Sequence, residues 1–390
     1  MDRRFKVLKI CSWYPNEFKP TLGNFVQKHA EAISLLNDVV TLSIFPDETS
    51  IDHRVVVNPK DQLTEIIIYY PKKTSGFPLN KFLNFLAHRK AFKLGFNLVK
   101  EKIGIPEIVH LNIVYPLGIW AYWLKKRYGI PYVVTENSSG FHVNSDHAYP
   151  KPIMSLCQLV LRNAEYLLPV SRNLKENLKI LSPSSQFEII SNVVDEKRFL
   201  PKEIQNEEFK RLIHISTGVD EIKNLSGMLH VMNELKNQHV QVTLDIVSDG
   251  DIEYAKTLAS DLNLNTNVTF HSTKTTSEVA EMIQNSDALL MFSNYENFPC
   301  VIAEAMMCGK PVISSNVNGI PEHVHDFNGM LVNPRDEKAL ESAIKRFVNN
   351  EVSFESKEIR DYAMDNFSYT EVCRKFSEIY GKVLLQIKES

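Results

Sequence analysis

Two carboxylates, eight positions apart, suggest the chemistry that this chain performs. Glu296 lies in a polar, turn-like segment (residues 293–299), whereas Glu304 lies in a helix-forming segment (residues 301–308) whose other side chains are all apolar. A helix that is apolar on every side is buried, and a carboxylate inside it must be paired or hydrogen-bonded. Free backbone N–H groups at the start of such a helix attract phosphate. The segment therefore predicts an anion cradle beside two acceptors for hydroxyl groups, a combination that fits a nucleotide sugar.

The surrounding residues indicate which elements position these carboxylates. A short apolar run (residues 287–292) precedes Glu296, Gly309 follows the helix, and a second short apolar run begins at Val312. This order predicts a strand–loop–helix–strand unit of an α/β domain. The alternative is that Glu296 is a solvated loop acid and Glu304 pairs with a basic neighbour.

The same segment resembles the signature of retaining glycosyltransferases with the GT-B fold, and most closely glycosyltransferase family 4. The resemblance is carried by the two acids with seven residues between them, followed by Ala305-Met306, Gly309-Lys310-Pro311-Val312 and Gly319-Ile320-Pro321-Glu322. It implies that Glu296 binds hydroxyls of the donor sugar and that Glu304 binds the ribose diol. The residues that it places beside the donor phosphates are Asn297, Phe298 and Cys300. Pro299 stands where the family often has glycine, and proline has no N–H to offer a phosphate.

A second family motif opens the second half of the chain. In the family, the turn after the first strand of this half holds an arginine and a lysine on the donor diphosphate. Lys223 fits the lysine and Asn224 follows it, but Gly218 stands at the arginine position. One of two cations is missing, so stabilisation of the leaving group would fall on Lys223, which we expect to be catalytic together with Glu296, and on helix N-termini.

The first half alternates short strands and helices from residue 5 to residue 170, which predicts a parallel doubly wound sheet. Gly23 ends the loop after the first strand, where open α/β sheets bind ligands, and it would let the backbone approach a phosphate or an acceptor. Starting the next helix is its alternative role.

Further along, residues 110–118 and 135–142 resemble family segments near the acceptor and the transferred sugar. The resemblance places His110, Glu136, Asn137 and His142 in that vicinity. Family members commonly have a histidine at or near the position of Asn137, and asparagine cannot titrate, so no acid–base role follows for it. For Glu136 and His142 the alternative is an ordinary polar loop residue.

The length of 390 residues is too great for one core and suggests two domains. The resemblance implies the GT-B fold, with two Rossmann-like doubly wound α/β domains facing across a cleft and a C-terminal helix crossing back to the first. We expect an acceptor-binding domain at residues 1–200, a donor-binding domain at 201–366, and the returning helix at 367–390.

Charge distribution and cysteine content indicate the kinds of partner and the compartment of the protein. Residues 1–200 carry 26 basic and 18 acidic side chains, a net of +8, and the remainder carries 18 and 29, a net of −11. The halves therefore suit different partners. Five scattered cysteines fit a reducing compartment. The sequence shows no signal peptide and no apolar run that would span a bilayer, which predicts a cytoplasmic protein, peripheral at most on the inner membrane face.

Residues 72–104 form a basic and apolar segment that suggests such peripheral contact. Eight cations face a single acid, Glu101, and eight large apolar side chains are interleaved with them: Phe77, Leu79, Phe82, Leu83, Phe85, Leu86, Phe92 and Phe96. A helix of this kind suits an anionic membrane surface. The alternative is a helix that packs on the sheet and leaves its lysines solvated. No nucleic-acid-binding motif accompanies the charge.

We therefore expect a retaining glycosyltransferase that moves a sugar from a nucleotide sugar to a hydroxyl acceptor, such as a lipid-linked saccharide in cell-surface polysaccharide synthesis. No cofactor or metal is expected. One alternative is a non-catalytic partner that binds nucleotide sugar or membrane, and a third is a sugar-nucleotide epimerase of the same fold.

Overall fold

Two β-sheets organise the chain, each in its own unit of the computed structural model. The structure describes residues 3–74, 78–141, 148–202 and 209–389. The first unit comprises Met1–Ser191 and Tyr369–Ser390, and the second comprises Asn192–Ser368. The sequence places its domain divisions after residues 200 and 366, whereas the structure divides the chain after Ser191 and Ser368.

The sheet of the first unit is parallel except at one edge. Its strands are β1 Lys6–Cys11, β2 Asp38–Asp47, β3 Arg54–Lys60, β4 Leu63–Pro71, β5 Ile108–Asn112, β6 Tyr132–Glu136, β7 Tyr166–Pro169 and β8 Gln186–Phe187. They lie in the order β3-β4-β2-β1-β5-β6-β7-β8, and β3 runs antiparallel to β4. Only Asp61 and Gln62 join these two strands, a link too short for a parallel crossover. The parallel sheet that the spacing predicts thus carries one antiparallel edge strand.

Helices cover both faces of this sheet, and the last helix of the chain is one of them. They are α1 Asn24–Ser34, α2 Pro78–Ile103, α3 Gly118–Tyr128, α4 Lys151–Leu161, α5 Arg172–Leu181 and the C-terminal α13 Tyr369–Glu389. Helix α13 packs along α1, where Asn37 Nδ2 donates to Ser377 Oγ at 2.9 Å and the rings of His29 and Phe376 lie 5.5 Å apart. This return of the last helix to the first unit is part of the predicted fold class. Within the described ranges, no helix is both long enough and apolar enough to cross a membrane.

The sheet of the second unit is parallel throughout. Its strands are β9 Lys210–Ser216, β10 Val242–Ser248, β11 Val268–His271, β12 Ala288–Met291, β13 Val312–Ser315 and β14 Gly329–Val332, in the order β11-β10-β9-β12-β13-β14. The helices of this unit are α6 Asp220–Lys223, α7 Leu225–Asn237, α8 Glu253–Asp261, α9 Thr276–Gln284, α10 Cys300–Met307, α11 Glu337–Val348 and α12 Ser356–Phe367, and the last two follow the final strand.

The strand order of the second unit reverses between β9 and β12. Strands β10 and β11 extend the sheet on one side of β9, while β12, β13 and β14 extend it on the other. In open α/β sheets, ligands bind beyond the carboxyl ends of the strands at such a reversal. The loops that follow β9 and β12 therefore frame the expected ligand site.

A buried lysine sits in the middle of the first unit's sheet. Lys9 is fully buried in β1, and in the register of the sheet it lies between Thr41 of β2 and His110 of β5. Its ammonium group donates to Asn112 Oδ1. Burial lowers the pKa of Lys9 from 10.5 to about 8, because the charged form loses its hydration.

The lowered pKa of Lys9 predicts that the free energy of unfolding rises with pH. Between pH 8 and pH 10.5 the unfolded chain holds the Lys9 proton that the folded chain has released, so stability rises with pH in this window. From pH 7.5 to pH 9.5 we expect the free energy of unfolding to rise by about 2 kcal/mol relative to Lys9→Met. Urea unfolding of both proteins at the two pH values measures this. A difference that stays constant with pH would contradict it.

Candidate functional site

The second unit brings together the two residues that the sequence marks as catalytic. Lys223 ends the short helix α6 after β9, and Glu296 lies in the loop after β12. The Nζ atom of Lys223 forms an ion pair with Glu296 Oε1, and the two side chains are only 15% and 9% exposed. Ser293 Oγ donates to the same carboxylate oxygen at 2.9 Å. Seventy-three residues separate the pair in sequence, and the reversal between β9 and β12 joins them.

A hydrogen-bonded chain fixes the start of the loop that carries Lys223. His214 is fully buried in β9, with Nδ1 2.9 Å from Leu290 O and Nε2 2.7 Å from Ser216 Oγ. The Leu290 carbonyl can only accept, so Nδ1 carries the proton and Nε2 accepts from the Ser216 hydroxyl. Ser216 Oγ in turn accepts from Gly218 N at 3.1 Å. Burial lowers the pKa of His214 to about 4, which keeps the ring neutral. His214 was not among the residues predicted from the sequence, although a polar residue in a buried strand was a usable signal.

The backbone at Gly218 leaves no room for the arginine that the family resemblance implies at this position. Gly218 has φ +73, and an ideal Cβ would lie 2.2 Å from Ile252 Cγ2 and 2.9 Å from Ser248 Oγ. The Gly218 carbonyl accepts from Tyr254 Oη at 2.7 Å, which holds this conformation. A side chain of any length therefore collides with its neighbours unless the loop moves.

Asn224, expected beside the donor, forms the turn between α6 and α7. Its backbone is left-handed, with φ 51 and ψ 49. An ideal Cβ on Gly227 would lie 2.7 Å from Asn224 Oδ1, so the amide lies directly over the first turn of α7. Asn224 thus ends the helix that presents Lys223.

Helix α10 is buried as the sequence predicts. Residues Val301–Met307 are all buried, and Glu304 among them is 7% exposed. Pro299 is the N-cap residue of this helix, and Cys300, half-buried, is its first residue. The loop of Glu296 thus leads straight into the helix of Glu304, and the start of α10 is the expected phosphate cradle.

Phe298 supports the loop from beneath. Its ring is buried against those of His323, at 4.4 Å, and Phe367, at 5.4 Å, and its carbonyl accepts from Asn192 Nδ2 at 3.0 Å. The structure therefore places the Phe298 side chain in the core, while Asn297 beside it is half-buried. His323 is a support that sequence reasoning missed.

In the first unit, His110 is a core residue. Its ring is fully buried, with Nδ1 2.6 Å from Tyr380 Oη and Nε2 2.7 Å from Thr135 Oγ1. Burial holds the pKa of His110 well below its usual value. The ring ties β5 to β6 and to helix α13, and it does not face an open surface.

Glu136 is also fully enclosed. One carboxylate oxygen accepts from Val114 N at 3.0 Å, and the other accepts from Asn137 N at 2.9 Å and Ser138 N at 2.7 Å. Burial raises the pKa of Glu136 to about 7 against the opposing effect of these three N–H groups. The carboxylate anchors the loops after β5 and β6.

The remaining predicted site residues are Gly23, Asn137 and His142, of which the structure describes the first two. Gly23 precedes α1 with φ +65, and an ideal Cβ there would lie 2.7 Å from the carbonyl carbon of Trp13, so its close approach is to the chain itself. Asn137 is half-buried. His142 lies outside the described residues.

Within the described ranges, no three His, Cys, Asp or Glu side chains are grouped to hold a metal ion. The expectation that the reaction needs no metal stays a prediction.

Comparison with known families covers most of the chain. The family described as glycosyl transferases group 1 matches residues 195–365, and glycosyltransferase family 4 matches residues 48–198. N-acetyl-alpha-D-glucosaminyl L-malate synthase of Bacillus anthracis is 25% identical over 71% of this chain and 75% of its own length. The putative teichuronic acid biosynthesis glycosyltransferase TuaC of Bacillus subtilis is 22% identical over 89% and 90%.

Solved structures share the fold over nearly the full length. Sucrose-phosphate synthase from Thermosynechococcus elongatus gives a TM-score of 0.78 at 20% identity, covering 98% of this chain and 100% of that one. Anabaena HepE, in complex with UDP and glucose, gives 0.71 at 14% identity, covering 97% and 100%. Two α/β units of this kind define the GT-B fold. The chain belongs to the group 1, family 4 type of these enzymes, which confirms the predicted family and fold class.

The packing of Gly218 can be tested against a glycine with the same backbone but open surroundings. Gly129 has φ +68, and an ideal Cβ there meets no atom within 4 Å. We expect Gly129→Ala to cost about 1–2 kcal/mol from the left-handed backbone alone. Gly218→Ala should cost about 1–3 kcal/mol more, because its methyl group collides with Ile252. Urea unfolding measures both losses, and equal losses would show that the Ile252 contact yields freely.

Proposed function

We propose that this glycosyltransferase transfers a sugar from a nucleotide-sugar donor to a hydroxyl acceptor in cell-surface polysaccharide synthesis, with retention of configuration. The observation that carries the proposal is the Lys223–Glu296 ion pair at the strand reversal, followed directly by the buried helix of Glu304.

Each of these groups suits one part of a nucleotide sugar. Glu296 accepts hydrogen bonds from hydroxyls of the donor sugar, and Glu304 accepts them from the ribose diol. The ammonium group of Lys223 and the first N–H groups of α10 bind the diphosphate. In the free protein Lys223 and Glu296 satisfy each other, and a bound donor replaces that pairing with a phosphate and a hydroxyl.

The reaction breaks the bond between the anomeric carbon and the phosphate oxygen. The acceptor hydroxyl attacks the anomeric carbon from the face that the phosphate leaves, so the configuration is retained. Its proton passes to the departing phosphate oxygen, and no other acid or base is required. Negative charge grows on the diphosphate in the transition state, and Lys223 stabilises it there more than in the ground state.

The names of relatives support the donor and the product class. One Bacillus relative is named for teichuronic acid biosynthesis, and another is named as an N-acetylglucosaminyl malate synthase. The solved structure of HepE contains UDP and glucose. These names favour a nucleotide sugar as donor and a saccharide-building role.

Removing the carboxylate that is proposed to bind the ribose hydroxyls tests the donor site. We expect Glu304→Ala to weaken nucleoside diphosphate binding by about 1–3 kcal/mol, as for the loss of a hydrogen bond to a charged group. Calorimetric titration with UDP and with GDP measures the change. Glu304→Gln keeps the side-chain volume and one acceptor oxygen, so it should lose less. Unchanged affinity in a folded Glu304→Ala protein would remove Glu304 from the site. Binding without turnover on any acceptor would favour the non-catalytic alternative.

The outer face of α2 supports a further part of the proposal, contact with an anionic membrane. Leu79, Phe82 and Leu86, which are 66%, 57% and 40% exposed, are spaced to lie along one side of the helix, and Phe85 adjoins them at 55%. Phe92 and Phe96, counted with this face in the sequence, are instead buried in the core. Phe77 lies outside the described residues.

Exposed cations continue the same side of the helix. Arg89, Lys90 and Lys93 follow Leu86 at the third, fourth and seventh positions, and all three are exposed. Apolar side chains followed by cations suit insertion between anionic headgroups. Each cation near such a surface contributes about 1 kcal/mol.

Liposome sedimentation tests this contact. We expect the protein to sediment with vesicles containing anionic phospholipid, not with neutral ones, and to be released by high salt. Replacing Arg89, Lys90 and Lys93 together by Gln should abolish sedimentation, and Phe82→Ser with Phe85→Ser should reduce it.

A matched variant controls for the loss of net charge. Lys256, Lys338 and Lys357 are exposed cations of the second unit, and replacing these three by Gln should leave sedimentation unchanged. Equal binding to neutral vesicles, or equal losses in both triple variants, would contradict a specific membrane face on α2.

A further inference from the structure

The donor site needs more positive charge than the sequence motif provides. Lys223 is paired with Glu296, so this pair brings no net charge to a diphosphate. Gly218 has no room for the arginine that the family motif would place there. A leaving nucleoside diphosphate carries at least two negative charges, and a dry site stabilises them only with cations or oriented N–H groups.

Asn294 connects this site to a third loop. Its backbone N donates to Ile222 O at 2.7 Å, and its Nδ2 donates to Glu221 O at 3.0 Å. Asn294 is therefore hydrogen-bonded to the two residues of α6 that directly precede Lys223. Its Oδ1 accepts from Arg335 Nε at 3.1 Å. Arg335 belongs to the loop after β14, at the same carboxyl edge of the sheet as the loops after β9 and β12.

Arg335 has two further unusual features. Its backbone is left-handed, with φ 63, a conformation that is disfavoured for any residue with a Cβ atom and is common only for glycine and asparagine. The side chain is exposed, and among the described residues Asn294 is its one hydrogen-bond partner through Nε. Both Nη groups thus remain available to a ligand. Strained residues that persist in a fold are often retained for function.

We propose that Arg335 binds the diphosphate of the donor and supplies the second cation of the site. This inference rests on the proposed function, and it assigns the missing charge to a residue outside the family motif. Asn294 orients the guanidinium through Nε, and the Nη groups form charge-assisted hydrogen bonds with phosphate oxygens.

Comparing a nucleoside with its diphosphate isolates this contact. We expect Arg335→Asn to weaken UDP binding about tenfold or more, as for a lost hydrogen bond between charged groups, while uridine binding changes less than about twofold. Asparagine tolerates the left-handed backbone, so the melting temperature should be unchanged or higher. Calorimetry with UDP and uridine, and with GDP and guanosine, measures the ratio of affinities. Arg335→Lys keeps the charge but loses the Nε contact. Its affinity for UDP should therefore lie between those of the wild-type protein and Arg335→Asn.

Arg346 provides the control for net charge. It is exposed near the end of α11, about 14 Å along that helix from its start beside Arg335. Arg346→Gln should leave both affinities unchanged. If Arg335→Asn keeps the wild-type preference for diphosphate over nucleoside, or weakens both ligands equally, the inference is overturned while the proposed function stands. A wild-type protein that shows no such preference would overturn the proposed donor site and this inference with it.

Discussion

The pairing of β9 with β12 is the constraint on which the candidate site depends. These strands lie side by side, with Leu212 opposite Ala288 and Ile213 opposite Leu289, although more than seventy residues separate them. Because both run in the same direction, the loops at their carboxyl ends must emerge together. Lys223 and Glu296 meet for this reason, and a shift in this register would separate them.

Around that point, buried side chains hold the backbone of the two loops in place. The His214–Ser216–Gly218 chain fixes the loop after β9, and Asn192 with the ring of His323 fixes Phe298 in the loop after β12. These contacts leave few conformations open to Lys223 and Glu296. A preorganised site of this kind needs little rearrangement when charge develops on a leaving group.

The first unit shows that a polar residue in a family-like segment need not face a ligand. Glu136 ends β6, and ligands bind beyond strand ends in this fold class, while His110 lies in the middle of β5. Both side chains are fully buried and hydrogen-bonded to the chain itself. Lys9 is a further charged group enclosed in the same sheet. Buried polar groups must find partners, and here the partners are the loops and helices of the unit itself.

The sequence alone determined the fold class with its alternation of short strands and helices, the buried helix of Glu304 and the family, because each of these depends on local patterns. A run of apolar residues with one acid in it identifies helix α10 whatever surrounds it. The segment of α2 was identified as a basic helix for the same reason.

Only the tertiary structure decided which side chains face inward and which residues from distant loops meet. Phe92 is buried while Phe85, seven positions earlier on the same side of α2, is exposed, because the hydrophobic core takes side chains of this helix from Ala91 onward. Asn294 and Arg335 come together from loops that follow different strands, and no local pattern records that contact. The antiparallel edge strand and the crowding at Gly218 likewise depend on neighbours remote in sequence or on the path of the backbone. Local composition fixes the elements, but contacts between elements are fixed by packing, which a single sequence does not state.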